Sequence, residues 1–280
     1  MQDLTQYPSI TPELIDRGHA RRMGHLENYF ALSSRQKLYT NFSMYCELNE
    51  ACSKDQLVYA IRSICLKYPT LIHTVVPKNL PNSEEFYSSQ EYLSKPWPVH
   101  DFIKVIDHLE IDDILMNNQP EYASLVAQLE DLFVHNGFKY SKEMAEILSP
   151  VAIPYCHQGR PNWRLICLPE EDRSTEKWRR FIFVSNHCSS DGSSAINFFK
   201  ELVNELDDEP EKISNSTTVF DYAADHLQLN KLPKPIEERI DFKPPLSYIP
   251  RYLINSFISS SFGYRSPGGH TTAVDEIRDS

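Results

Sequence analysis

The stretch EKWRRFIFVSNHCSSDG, residues 176–192, carries the strongest structural signal in the chain. Within it, FIFVSN (Phe181–Asn186) is an apolar run of strand length, and WRLICL (Trp163–Leu168) is a second such run upstream. The charged segment between them predicts an antiparallel hairpin with a solvated tip. Because FIFVSN runs straight into HCSSDG, His187 is predicted to lie at the end of a buried strand.

A helix is predicted directly after HCSSDG. Either Ser193 or Ser194 is a suitable N-cap residue. Apolar residues then recur at steps of three to four, the spacing of an amphipathic helix; they are Ile196, Phe199, Val203 and Leu206. The motif therefore occupies a turn between a core strand and a helix.

A second strand and helix are predicted nearer the N-terminus. FSMYCEL (Phe42–Leu48) reads as a strand, and Ser53 with Gln56 forms a capping box for a helix from Lys54 to Tyr68. The predicted buried face of this helix consists of Leu57, Ile61, Ile64 and Tyr68. LIHTVV (Leu71–Val76) is rich in β-branched residues, so a strand, helix, strand unit and an α/β fold are expected.

The middle of the chain alternates between loop and regular structure. The proline-rich residues from Pro77 to His100 predict a long loop, and Phe102–Ile106 predicts a short strand. Pro120 can occupy the first turn of a further helix, where its missing N–H costs nothing. The apolar residues of that helix are Tyr122, Leu125, Leu129 and Leu132.

Residues 12–32, PELIDRGHARRMGHLENYFAL, have apolar side chains at roughly helical intervals. They predict a helix, although Gly18 and Gly24 weaken that interpretation. The favoured reading is a helix packed on its own domain, because the apolar stripe is broken and the basic face is short. The alternative is a helix that lies on a membrane surface.

Composition limits the possible functions. The 280 residues carry a formal charge of −11, which opposes nucleic-acid binding because phosphates require clustered Lys and Arg. The six cysteines contain no C-x-x-C pair, so reduced thiols in a cytosolic setting are expected, without disulfides or a zinc site. The polar N-terminus does not resemble a secretory signal, and no apolar run is long enough to span a membrane.

His187 is the main candidate for chemistry, because a histidine at a rigid strand end can accept a proton near neutral pH. The spacing alone is weak, since His108 to Asp112 also reads H-x-x-x-D. His108 lies in a charged stretch that predicts a solvated face, whereas small residues follow His187 and leave space for a substrate. A structural histidine within the fold remains the alternative for His187.

Other catalytic motifs are missing from the sequence. It contains no G-x-S-x-G, P-loop or G-x-G-x-x-G pattern, so common hydrolase, NTPase and dinucleotide chemistry lose their main support. His157 lies beside Cys156 without further ligands at metal spacing, which favours a loop or core position for this pair.

The strand, H-x-x-x-D-G and helix together resemble the signature of CoA-dependent acyltransferases related to chloramphenicol acetyltransferase. Further segments, from about residue 14 to about residue 262, are similar to yeast alcohol O-acetyltransferases. These segments are RGHARRMG (17–24), ICLKYPTLIH (64–73), NQPEY (118–122), WRLICLPEE (163–171) and residues 176–192.

The resemblance implies two similar lobes, each a mixed sheet flanked by helices, with a tunnel between them for acetyl-CoA and a small alcohol. It implies that His187 is the general base, that Asp191 holds the loop through an ion pair, and that Gly192 permits a tight turn. Cys188 would not be a nucleophile, and CoA-binding residues are not identified. It also implies peripheral association with the cytosolic face of the endoplasmic reticulum or with lipid droplets.

The domain organisation expected from this comparison has four parts. Residues 1–35 are a helical, possible membrane-associating segment, and residues 36–207 are the N-terminal lobe. Residues 208–245 are a crossover linker, and residues 246–280 are an incomplete start of the second lobe. Since complete family members are nearly twice as long, a truncated, non-catalytic lobe or interaction module is the competing hypothesis. An amine or sterol acceptor is a third.

Overall fold

A computed structural model describes residues 4, 7–35, 40–76, 101–151, 153, 159–171, 177–188, 190–207 and 216–240. In chain order the helices and strands are α1 (Pro12–Arg17), β1 (Ala20–Arg22), α2 (His25–Arg35), β2 (Phe42–Ser53), α3 (Lys54–Lys67), β3 (His73–Val76), β4 (Phe102–Val105), β5 (His108–Glu110), α4 (Ala123–His135), α5 (Lys142–Leu148), β6 (Trp163–Cys167), β7 (Lys177–Ser185), α6 (Gly192–Asp207), β8 (Thr218–Asp221), α7 (Tyr222–Asp225) and α8 (Ile236–Arg239). The predicted loop at 77–100 lies outside the described residues.

The hairpin predicted around residues 163–186 is confirmed. β6 and β7 pair antiparallel, with Leu165 opposite Phe183. On its other side β7 pairs antiparallel with β2, with Phe42 opposite Ser185. β7 is therefore the central strand of a sheet in the order β2-β7-β6.

Both faces of this sheet are covered by helices. Because successive strand residues point to opposite faces, Phe181 and Phe183 join the cluster that contains the buried sides of α3 and α6. Ile182 and Val184 join a second cluster with residues of α4 and α5. This arrangement confirms the α/β class, and it explains why β7 is apolar without interruption from Phe181 to Val184.

The described strands form three small sheets. Besides β2-β7-β6 there are β1-β4-β3 and β5-β8, and all their ladder pairs are antiparallel. The predicted strand, helix, strand unit forms as β2, α3 and β3, but its two strands belong to different sheets. Ser53 and Gln56 form the predicted capping box. Leu57, Ile61 and Ile64 are buried as expected, whereas Tyr68 is partly exposed.

The single helix predicted over residues 12–32 was wrong. The structure has α1, then β1, then α2. Gly18 ends α1 in the left-handed conformation, with φ of 77°, which favours glycine. β1 then pairs with β4, a partner distant in sequence, and this long-range pairing overrides the local helical spacing.

The crossover range contains regular structure that the sequence did not predict. β8 pairs with β5, and its residues Val219 and Phe220 are fully buried in the main core cluster. The chain divides into compact units at residues 1–236 and 237–280, and the structure describes residues 237–240 of the second unit. Among the described residues no helix is long and apolar enough to cross a membrane.

Candidate active site

His187 lies in the turn between β7 and α6, two residues beyond the end of the central strand. The backbone of this turn is anchored on both sides of the histidine. The Asn186 N–H donates to the Asn162 carbonyl at 3.1 Å, which extends the β6–β7 pairing by one step. The Asn186 side-chain oxygen accepts from the Cys188 N–H at 2.9 Å.

Hydrogen bonds from the segment before β6 hold the same turn. The buried Asn162 side chain donates to the Cys188 sulfur at 3.4 Å. The Ser185 hydroxyl contacts the Asn162 carbonyl at 3.3 Å and is also hydrogen-bonded to the Ser190 hydroxyl. The backbone that carries His187 is therefore fixed by side chains from before, within and after the turn.

The imidazole of His187 is half-buried beside two aromatic rings. Its centroid is 4.9 Å from that of Phe42 and 5.8 Å from that of Phe30. Burial lowers the pKa of His187 below 6.5, although a hydrogen bond with the Ser190 backbone and the charge of Asp191 act in the opposite direction. The neutral ring, which can accept a proton, is therefore the main form at neutral pH.

Asp191 caps α6. One of its carboxylate oxygens accepts from the Ser194 N–H at 2.8 Å and from the Ser194 hydroxyl at 2.7 Å. These bonds lower the pKa of the carboxyl group. The N-cap predicted at Ser193 or Ser194 was therefore wrong, because Asp191 takes that role. Within the described part of the chain Asp191 has no ion pair of the kind that the resemblance implies.

The prediction of the buried face of α6 is also only partly correct. The buried residues are Ala195, Phe198, Phe199 and Leu202. Ile196 and Val203 are exposed. Helical spacing alone does not decide which face of α6 packs on the sheet, so the buried face differs in part from the predicted one.

Gly192 is the first residue of α6, and the structure shows no local need for glycine there. Among the residues that the structure describes, a Cβ atom at this position would have no neighbour within 4 Å apart from its chain neighbours and its own helix backbone. Its φ also lies outside the left-handed region. Its predicted role in a tight turn has no counterpart in this geometry.

The second H-x-x-x-D motif lies elsewhere. His108 begins β5, in a different sheet from β7, and its Nε2 atom is 2.6 Å from the carboxylate of Glu110. Its side chain is half exposed, as the charged sequence around it indicates. His157 and Cys156 lie outside the described residues. In the part that is described, no group of three or more His, Cys, Asp or Glu side chains could hold a metal ion.

Sequence reasoning missed the residues that surround His187. Phe30 and Phe42 contact its ring from α2 and β2. Asn162, from the segment before β6, holds the adjacent Cys188. No short motif marks them, because each is distant from His187 in sequence. The only available signal was the strand pairing itself, which sets Phe42 beside the last residue of β7.

The sequence is similar to those of known proteins over most of its length. Residues 22–276 match the model of the family described as AATase, alcohol acetyltransferase. The chain is 49% identical to Alcohol O-acetyltransferase 2 of Saccharomyces cerevisiae over 97% of its length and 52% of that protein. It is 45% identical to Alcohol O-acetyltransferase 1 of the same yeast, over 91% of this chain and 48% of that one.

The chain thus spans about half the length of the curated relatives that it matches. Among solved structures, a trichothecene 15-O-acetyltransferase from Fusarium sporotrichioides is 13% identical, with a TM-score of 0.44 over 88% of this chain and 46% of that chain. The family model and the two yeast relatives each match most of this chain, and all three are described as alcohol acetyltransferases. This chain belongs to the alcohol acetyltransferase family.

Proposed function

We propose that the chain carries the general base of an alcohol O-acetyltransferase, which transfers acetyl from acetyl-CoA to small alcohols and forms acetate esters. The observation that carries the proposal is the state of His187 in a member of this family. Its imidazole is half-buried, its pKa is lowered, and its backbone is held at the end of the central strand. A base of this kind is suited to deprotonating a hydroxyl group near neutral pH.

In the proposed reaction the alcohol oxygen attacks the thioester carbonyl of acetyl-CoA while His187 takes the hydroxyl proton. The carbon–sulfur bond then breaks, CoA leaves with that proton as a thiol, and the acetate ester remains. The hydrogen bond between His187 and the Ser190 backbone favours the protonated ring, so in that bond the ring is the donor. The other ring nitrogen is then the one that accepts the proton.

Asp191 has a supporting role in this proposal. Its carboxylate is occupied by Ser194 and fixes the start of α6. It acts on His187 through its charge, and it raises the pKa of the ring against the larger effect of burial. The acceptor and the CoA-contacting residues are left open, because substrate choice depends on pocket walls drawn from many segments.

An ester-forming assay tests this function. The 280-residue chain would be incubated with acetyl-CoA and short alcohols, and acetate esters would be measured by gas chromatography. A parallel sample would carry the chain fused to the C-terminal half of the yeast relative. We expect ester only from the fused form, and none from its His187→Ala variant. Ester formation that survives His187→Ala would overturn the role of the base, and amine or sterol products alone would overturn the acceptor.

We also propose peripheral association with the cytosolic face of the endoplasmic reticulum or with lipid droplets. Two apolar side chains on α2 support this proposal, since Leu26 and Tyr29 are 42% and 43% exposed. Exposed apolar side chains on one helix are a feature of interfacial helices.

A further inference from the structure

Two aromatic side chains meet at the imidazole of His187, one from a helix and one from a strand. The Phe42 ring lies 4.9 Å from it, with 38° between the planes, and the Phe30 ring lies 5.8 Å from it, with 29°. Both separations fall within the range of favourable ring contacts. No other part of the proposed mechanism uses these two residues.

We infer that Phe30 and Phe42, here called the aromatic pair, are positioning residues that orient the His187 ring for proton transfer and limit its access to water. This inference rests on the proposed function of His187. The terminal torsion of a histidine is broad, and the hydrogen bond with the Ser190 backbone leaves the ring free to rotate about that bond. Contact with flat aromatic faces restricts that rotation.

Phe42 is held firmly enough for this role. It is the first residue of β2, and its backbone pairs with Ser185 at the end of β7. Its ring also contacts that of Phe183, at 6.2 Å, in the main core cluster. The same strand pairing that fixes the turn therefore fixes the ring beside His187.

Phe30 is held through α2. Near the start of that helix the carboxylate of Glu27 accepts two hydrogen bonds from Arg21 on β1, at 2.8 and 2.6 Å. The same carboxylate accepts from the Gly24 N–H at 2.7 Å. Ala31, next to Phe30, is buried in the core. This ion pair and this packing set the position of α2, and with it the position of the Phe30 ring.

The charged groups near the aromatic pair do not account for the lowered pKa of His187. Asp191 is the charged group that acts on His187 among the described residues. On α2, Glu27 is engaged by Arg21. The chain neighbours of Phe42, Asn41 before β2 and Ser43 within it, carry no charge. Burial has the largest effect on the pKa of His187, and it lowers that pKa.

The test is an NMR titration of the histidine side chains of the full chain, with His187→Gln used to assign the signal. We expect Phe30→Ala and Phe42→Ala each to raise the pKa of His187 towards 6.5, because water then reaches the ring. Phe30→Tyr and Phe42→Tyr keep the ring contact and should keep the lowered pKa. Phe138→Ala, a half-buried phenylalanine in the second cluster, is the matched control and should leave it unchanged.

Kinetics on the fused form provide the second measurement. Each alanine variant should lower kcat by about 10-fold to 100-fold with little change in KM for acetyl-CoA, since misplacing a reacting group has effects of this order. The acidic limb of the pH–rate profile should move to higher pH. If one alanine variant does not fold, the other decides the question.

An unchanged pKa of His187 in the folded alanine variants overturns the role proposed for the aromatic pair, whatever the activity of those variants. A shifted pKa in a protein whose His187→Ala variant keeps full activity overturns the proposed function instead, and it leaves the physical effect of the two rings intact. The titration needs no turnover, so the two failures are distinguishable.

Discussion

One carboxylate oxygen of Asp191 accepts two hydrogen bonds from Ser194, from its backbone N–H at 2.8 Å and from its hydroxyl at 2.7 Å. This contact begins α6 and therefore sets where the turn that carries His187 ends. The Asp191 carboxylate is thus hydrogen-bonded within the first turn of α6, and it acts on the pKa of His187 through its charge.

Replacing Asp191 should accordingly act first on stability. We expect Asp191→Ala to lower the free energy of unfolding by about 1 kcal/mol, the usual effect of losing an N-cap. Asp191→Asn should cost less, because asparagine is also a good N-cap. Urea unfolding of the three proteins at pH 7 measures the difference, and an alanine variant as stable as the parent would show that the cap contributes nothing.

The pH dependence of this cap follows from the lowered pKa of Asp191. Because the folded state holds the ionised form, the contribution is present above the unfolded pKa of 3.8 and is lost as the pH falls through the folded value. The difference between the parent and Asp191→Asn should therefore shrink in strong acid.

Replacing the two H-x-x-x-D histidines should have very different effects on enzyme activity. In the fused form, His187→Ala should lower kcat by about two to four orders of magnitude, the usual contribution of a general base. His108→Ala should have little effect, because that side chain is half exposed and bound to Glu110 in another sheet. A series in which His108 mattered and His187 did not would reverse the choice of motif.

Local signals in the sequence predicted the elements that depend on near neighbours. The hairpin of β6 and β7 has a clear apolar pattern, and the capping box of Ser53 and Gln56 involves residues three apart. The cap of α6 could not be chosen, because Asp191, Ser193 and Ser194 are all good N-cap residues and local propensity does not rank them.

Contacts between distant segments were beyond such reasoning. β1 pairs with β4, and Phe30 and Phe42 contact His187 although both are distant from it in sequence. Residues 12–32 have helical spacing, yet part of them forms a strand because its hydrogen bonds are completed by β4. Chemistry could be assigned to His187 from its place at a strand end, whereas the surroundings that lower its pKa required the fold.

Gly192 provides a test of how much of the motif is structural. Because its Cβ position is open and its φ is outside the left-handed region, Gly192→Ala should fold normally. We expect it to stabilise the protein by about 0.4–1 kcal/mol, since alanine loses less backbone freedom than glycine in a helix. Thermal unfolding measures this. A destabilised variant would mean that the glycine meets a constraint beyond the described residues.

Membrane association can be tested on α2 without damaging the core. Deleting residues 1–32 would remove Met23 and Ala31, which are buried, so a deletion would confuse unfolding with release. Leu26→Ser with Tyr29→Ser should instead move the protein from membrane fractions to the supernatant. Val134→Ser changes another exposed apolar residue, 37% exposed on α4, and is the control. Retention of the double variant would point to another anchor, such as YLINSFISSSF at residues 252–262, outside the described residues.

His73 should make the lobe sensitive to mild acid. Its ring is buried, it contacts the Thr70 carbonyl through Nδ1 at 2.6 Å, and burial lowers its pKa to about 4. The nearby charges act in opposite directions, because Glu27 raises this pKa and Arg21 lowers it. The folded state therefore holds the neutral ring over a range in which the unfolded chain binds a proton.

The unfolded state thus binds more protons between pH 6.5 and about 4, so stability should fall as the pH is lowered through this window. A shift of this size corresponds to about 3 kcal/mol at most. Urea unfolding at several pH values measures it. His73→Asn should remove most of this slope, because asparagine can still donate to Thr70 but does not titrate, whereas His135→Asn, at an exposed position of α4, should leave the slope as it is. A His73→Asn protein with an undiminished slope would place the acid sensitivity on another group.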